Sequence, residues 1–443
     1  MSEADTLQDK RWRTPFFTIW SGQAISLLGS QLVQFALIWW LTRTTGSATV
    51  LAIASLVGLL PQVLLGPLIG AWVDRSNRRL IMMIADSTIA LATLLLAALF
   101  ALGWVQIWHV YLLMLVRSIA GGFHFPAMQA STSLMVPKDH LARIQGLNQM
   151  LHGGLNILSA PLGALLLELL PVQGVLAIDV VTALMAVAPL LFISIPQPER
   201  TAAAAASSFW QDFRGGLRYT LSWPGLVIIG VMAALINLLL TPASSLVPIL
   251  VTQHFNGQAW QLAWLQTASG VGIIAGGLTL GVWGGFRRRI FTSMLGLLGI
   301  GAGSLLMGFT PSGAFLLGVG AMFVVGFFLP VANGPLLAAV QATVEPAMQG
   351  RVFTLIGSVS AGMAPLGLII AGPVADLLGV QTWYLLGGVM CVLMGVLGFF
   401  IPAVVHLEDH GKASPPEAGA PALEPAMDPA EAVEFEDTVI HIR

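Results

Sequence analysis

Apolar runs of about twenty residues recur along this chain, divided by short polar or Gly/Pro-rich breaks. A helix rises about 1.5 Å per residue, so roughly 20 apolar residues cross the ~30 Å hydrocarbon core of a bilayer. Runs of that length lie at 16–41, 48–72, 80–102, 106–130, 144–170 and 174–195, then at 225–252, 260–284, 290–309, 313–338, 350–377 and 380–405. They are too long, and alternate too little, to be the strands of a membrane barrel. Only 9% of the 443 residues are charged and 56% are hydrophobic, against about 25% charged in soluble domains. A chain with so little polar surface cannot cover a water-soluble particle. The expected fold class is an all-α integral membrane protein of twelve transmembrane helices. Prolines inside the runs, such as Pro61, Pro161 and Pro365, are tolerated where neighbouring helices satisfy the freed backbone groups.

The basic residues assign a topology. Arg43 lies in the first loop between runs and Arg117 lies within the fourth. The other Lys and Arg residues fall at the N-terminus, in the even-to-odd connections at 73–79, 137–143, 196–224, 285–289 and 339–351, or in the C-terminal tail. This asymmetry follows the positive-inside rule and predicts a plasma-membrane protein with both termini cytoplasmic. The first fifteen residues are polar, with no short apolar segment and cleavage site after them, so no removable signal peptide is expected.

The runs divide into two similar halves. LGPLIGAWVDRSNRRLI from Leu65 aligns with AGGLTLGVWGGFRRRIF from Ala275, pairing Gly70 with Gly281 and Trp72 with Trp283. SAPLGALL from Ser159 resembles MAPLGLII from Met363, and ELLPVQ from Glu168 resembles DLLGVQ from Asp376. Three matches in one order describe a parallel repeat, a common plan for secondary transporters. The expected organisation is a cytoplasmic N-terminus (1–15), a six-helix half (16–195), a cytoplasmic linker (196–224), a second six-helix half (225–405) and an acidic disordered tail (406–443). Within the linker, SFWQDFRGGLRYTL reads as a short interfacial helix.

Charges inside the runs carry the chemistry. Arg117 lies about 16 Å into its span. A central Arg costs at least ~2.5–3.5 kcal/mol on insertion scales, so it should face a partner or a water path. Asp86, a few residues into the third span, is the expected partner. Asp179, a few residues into the sixth span from its outer side, is a further carboxylate, and Asp86, Arg117 and Asp179 are the proton-coupling candidates. His124 and His152 inside the spans read either as imidazoles for proton transfer or as neutral hydrogen-bonded residues. Gln23, Ser26, Ser30 and Gln34 form a polar stripe on span one, and Asn148, His152 and Asn156 form another on span five. Gln23, Gln34, Asn148 and His152, with Asn237 and Asn333 from the second half, are the expected lining of a substrate cavity. Glu168 and Asp376 lie near outer ends, where a carboxylate caps or snorkels.

Several classes are excluded as expectations. No G-x-x-x-x-G-K-[ST] loop is present, so no ATP is bound through one. No cluster has metal-ligand spacing, no G-x-S-x-G occurs, and no cofactor is expected. The net charge of −2 gives no sign of nucleic-acid binding. The lone cysteine, Cys391, cannot form an internal disulfide. A transporter rather than an enzyme is expected, a monomer in the bilayer, driven by an ion or proton gradient.

Gly70, Asp74, Arg75, Arg78 and Arg79, between spans two and three, follow the pattern G-x-x-x-D-R-x-x-R-R. This resembles the signature loop of the major facilitator superfamily, which implies a conformational latch acting through Asp74. The second half has Gly285 where Asp74 stands, so the implied latch is asymmetric. Arg117-Ser-Ile-Ala-Gly121 resembles the superfamily's fourth-helix motif, which implies a part in proton coupling. IWSGQAISLLGSQLVQFALIWWL (Ile19 to Leu41), TGSATVLA (Thr45 to Ala52), GGFHFPAMQASTSLMVP (Gly121 to Pro137), GLNQ (Gly146 to Gln149) and AIDVVTA (Ala177 to Ala183) resemble bacterial macrolide efflux proteins and related drug:proton antiporters. The fifth-span G-P-x-x-G signature is altered to Ala160-Pro161-Leu162-Gly163-Ala164. The resemblance implies export of a hydrophobic small molecule by proton antiport; a siderophore or lysolipid is the alternative cargo, and a non-transporting receptor the remaining class.

Overall fold

The computed structural model describes residues 12–197 and 209–410. The expected N-terminal segment 1–11, the linker stretch 198–208 and the acidic tail from 411 lie outside the described residues. Among the described residues, twelve helices are long and apolar enough to cross a membrane. The first half comprises α1 (Arg13–Thr45), α2 (Ala48–Arg75), α3 (Arg78–Ala101), α4 (Ile107–Met135), α5 (Lys138–Leu169) and α6 (Val172–Phe192). A surface helix, α7 (Phe209–Leu221), follows. The second half comprises α8 (Pro224–Ser245), α9 (Ala259–Trp283), α10 (Arg289–Phe309), α11 (Phe315–Thr343), α12 (Pro346–Leu378) and α13 (Gln381–Phe400).

Two boundaries differ from the hydropathy reading in ways that matter. The seventh span stops at Ser245 rather than running to 252; a short turn at Val247–Ile249 and a π turn at Leu250–His254 take its place. Pro248, which has no N–H to donate, sits at this break. Helix α4 continues to Met135, five residues past the apolar run, through Pro126.

Arginines at the basic end tie helix ends together. Arg79 donates from Nε to the Leu190 carbonyl at 2.5 Å and from Nη2 to that of Leu191 at 2.8 Å, holding the C-terminus of α6. In the second half, Arg288 donates to the carbonyl of Val405 just past α13, at 3.3 Å. Cations at helix C-termini satisfy orphan carbonyls and oppose the dipole. Helix α7 forms where the linker reading placed one, and Gly216 lets it lie against Arg351 at the start of α12.

The halves meet through α2 with α12 and α5 with α9, and their packing differs along the helix length. Toward the end opposite the basic loops, a Cβ added at Gly372 of α12 would come within 2.5 Å of Thr49 in α2, and one at Gly270 of α9 within 2.8 Å of Ile157 in α5. Toward the basic end, a Cβ at Gly70, Gly146, Gly281 or Gly350 would meet nothing within 4 Å. One buried cluster seals the far end with side chains from both halves, among them Trp39, Leu51, Ala164, Leu246, Ala371 and Trp383. Buried side chains of the two halves therefore interlock at the far end, while among the described residues each buried cluster at the basic end belongs to one half alone.

Candidate functional site

The polar groups of the first half are stacked in two layers. In the layer nearer the basic end, Gln23 of α1 donates from Nε2 to Asp86 Oδ2 of α3 at 2.9 Å. His124 of α4 places Nε2 at 2.9 Å from Gln23 Oε1 and 3.3 Å from Asp86 Oδ1. Both neighbours accept, so Nε2 carries the proton of the neutral ring and Nδ1 is where a second proton would go. Gln23, Asp86 and His124 are all buried.

In the deeper layer Arg117 of α4 donates from Nη1 to Asp179 Oδ2 of α6 at 2.6 Å. Thr93 of α3 accepts from the same Nη1 at 2.9 Å and donates to Asp179 Oδ2 at 3.2 Å. Ser30 of α1 donates to Asp179 Oδ1 at 3.1 Å, and its carbonyl accepts from Arg117 Nη2 at 3.2 Å. Asp179 is wholly buried. Gly29 makes this possible: a Cβ there would collide with Thr182 and come within 3.1 Å of the Asp179 carboxylate.

The layers have a common register. Gln23 and Ser30, Asp86 and Thr93, and Arg117 and His124 are each seven residues apart on their helices. Seven residues are about two turns, roughly 10 Å. Three helices thus each contribute one side chain to each layer.

This register overturns the expected Asp86–Arg117 pair. Asp86 lies eight residues from the start of α3 at Arg78, whereas Arg117 lies eighteen residues from the end of α4 at Met135. The expectation placed the basic end of the fourth span near 130. Measured from that end, the five extra residues put Arg117 about 7.5 Å deeper, where Asp179 is its partner.

A cavity of about 190 Å³ touches both layers. Gln23, Ser30, Asp86, Arg117 and His124 line it, together with Asn148 and His152 of α5 and with Leu27, Phe125 and Met128. Asn148 accepts a hydrogen bond from Trp20 Nε1 at 2.8 Å, and the His152 ring lies 6.3 Å from that of Phe125. Gln34, Asn237 and Asn333 do not line this cavity, contrary to expectation. Asn237 donates to the Ala233 carbonyl of its own helix at 3.0 Å, and Asn333 is exposed. A Cβ added at Gly70 would meet nothing within 4 Å, so no close helix contact depends on that glycine here. Asp74 and Arg75 end α2, with Asn77 capping α3 through Leu80 N. Sequence reasoning passed over Thr93 entirely and gave His124 no partner; the seven-residue spacing was the signal for both.

An all-helical membrane bundle of two repeated halves, interlocked at one end, with a buried ion pair beside a mostly apolar cavity, defines a secondary-transporter architecture. Comparison with known families matches residues 19–363, and again 226–435, to the Major Facilitator Superfamily. The chain belongs to that family and is a membrane transporter. The second match begins at the start of the second half, as a parallel repeat requires. The chain is 32% identical over 386 residues to macrolide efflux protein A of Streptococcus pyogenes, covering 87% of this chain and 95% of that protein. It is 26% identical over 416 residues to the multidrug efflux pump Tap of Mycolicibacterium fortuitum, covering 89% and 98%. Among solved structures, a D-xylose-proton symporter superposes with a TM-score of 0.66 at 14% identity, covering 90% of this chain and all of that one.

Proposed function

We propose that this transporter exports a lipophilic small molecule of the macrolide or multidrug type, in exchange for protons entering the cell. The basic end faces the cytoplasm by the positive-inside rule, so the described conformation is open inward and both termini are cytoplasmic. The observation that carries the reading is the Asp86 carboxylate, buried in a mostly apolar cavity with Gln23 and His124 as its partners among the described residues. Arg117 already neutralises Asp179, so the Asp86–His124 pair is where the cavity takes up and releases a proton. When His124 Nδ1 is protonated, the pair becomes internally neutral and crosses the membrane cycle at lower desolvation cost. The relatives named for macrolide and multidrug efflux support the cargo class.

The test is accumulation of erythromycin and a fluorescent drug panel in efflux-deficient cells expressing either the wild type or Arg117→Ala at matched membrane levels. Lower accumulation with the wild type alone is expected, and a protonophore should abolish the difference. Transport in proteoliposomes that persists unchanged after the pH gradient is collapsed would overturn the antiport step. Equal accumulation of every compound would move the cargo to another class.

A further inference from the structure

At the closed end, one carboxylate bridges the halves. Asp376, in the last turn of α12, accepts from the backbone N–H of Ala48 at 2.7 Å and of Thr49 at 3.1 Å. It also accepts from the hydroxyls of Thr49 at 2.6 Å and Ser47 at 3.1 Å. All four donors belong to the cap and first turn of α2, in the opposite half. The free N–H groups of a first turn and the positive end of the helix dipole make that turn a strong partner for a carboxylate. Beside it, Gln253 donates to the carbonyl of Gly46 at 2.5 Å. Glu168, which the sequence repeat pairs with Asp376, offers a contrast within the molecule. It lies at the end of α5 beside Trp260 in the first turn of α9. The first turn of α9 is capped locally, by Gln258 and Gln261, with no carboxylate.

We propose that Asp376 is the outer gate of this transporter: a carboxylate latch that holds the far end shut by capping α2, and that must be released before the cavity opens outward. The donors are fixed by a helix end, so the four bonds form or break together. A single exposed ion pair is worth little, but multiple charge-assisted bonds to a preorganised helix end are not independent exposed pairs. The repeat-related site at Glu168 lacks the latch, so the polar latch sits on one side of the bundle, over the apolar seal that both sides share. This device stands opposite the Asp74 loop that the family resemblance assigns to the basic end.

The test needs no knowledge of the cargo, so its failure and that of the export reading are separable. In a Cys391→Ser background, Thr44→Cys, exposed in the last turn of α1 at the far end, reports which side that end faces when intact cells are treated with a membrane-impermeant maleimide. Ala52→Cys, one turn deeper than Thr49 and 2% exposed, then reports gate opening from the same side. Asp376→Asn should raise its labelling rate about tenfold, and Thr49→Val, which removes one bond and no charge, by about threefold. Glu168→Gln should leave the rate unchanged. A mere loss of folding is separated by a spin-label pair at Ser76→Cys and Gly350→Cys on the basic end. Release of the latch shifts the population outward and shortens that distance, whereas unfolding broadens it. Labelling at the parental rate in both Asp376→Asn and Thr49→Val, or an equal rise with Glu168→Gln, would overturn the proposal.

Discussion

The two halves share a fold but not a chemistry. In the first, Asp86 and Asp179 are buried within the spans; Gln23 and His124 pair with Asp86, and Arg117, Ser30 and Thr93 pair with Asp179. In the second, α8, α9, α11 and α13 contain no Asp, Glu, Lys or Arg, and the charges of α10 and α12 sit near their ends. Its helices pack instead through glycine. Gly276 of α9 lies against the Phe327 backbone of α11, Gly296 of α10 against Ala332, and Gly395 of α13 against Met294 and Leu298. Close glycine contacts give van der Waals packing with no desolvation cost, whereas buried polar groups are expensive and hold only when fully paired. The contrast places the buried charged groups in the first half and leaves the second an apolar, glycine-packed wall.

The sharpest way to break this contrast is to remove one charge. Arg117→Ala leaves the Asp179 carboxylate buried with only hydroxyl partners, an imbalance worth about 3–5 kcal/mol in buried pairs. Thermal unfolding in detergent should show a large loss, and drug efflux should be abolished. Arg117→Met combined with Asp179→Leu removes both charges together, and most of the stability should return while efflux stays absent. Recovery of efflux in the double variant would reduce the pair to a structural element.

The second half should fail differently. Gly276→Val drives a side chain onto the Phe327 carbonyl, and overpacking of this kind costs about 1–3 kcal/mol. Lower thermal stability is expected, with the surviving protein keeping the wild-type pH dependence of transport. A displaced pH profile would mean that the apolar half also carries coupling groups.

Between these lies the cavity dyad. Asp86→Asn preserves the shape and the Gln23 contact but removes the charge that a proton on His124 would balance. Proton-driven efflux should fall about a hundredfold, the lower end of a general acid–base contribution, while downhill substrate exchange between equal pH values persists. His124→Gln keeps a hydrogen-bond partner for Asp86 and should cost less. Loss of exchange in Asp86→Asn would place the carboxylate in cargo binding rather than in coupling.

Span number, the repeat and the basic end were legible in the sequence because run length and Arg placement act over whole helices and tolerate errors of a few residues. The site was less legible because it depends on depth. Extending α4 to Met135 sets Arg117 five residues further from the basic end and exchanges its partner from Asp86 to Asp179. Thr93 left no hydropathy signal, since a threonine inside an apolar run is read as filler; only its seven-residue offset from Asp86 placed it. Asp376 was recognised as a carboxylate near an outer end that caps, but the helix it caps, α2, is more than three hundred residues away in sequence and no local pattern points to it.

The smallest expected effects come from the two asparagines that sequence reasoning placed in the cavity. Asn237 satisfies itself on its own helix, and Asn333 lies exposed on α11 away from both polar layers. Asn237→Ala and Asn333→Ala should each change stability by about 0.5 kcal/mol or less, as substitutions away from packed or paired features do. Efflux should stay within the wild-type range for every compound in the panel. A selective loss for one compound in either variant would show that the apolar half reads the cargo in the outward-facing conformation. The division of labour between the halves would then hold for proton coupling but not for recognition.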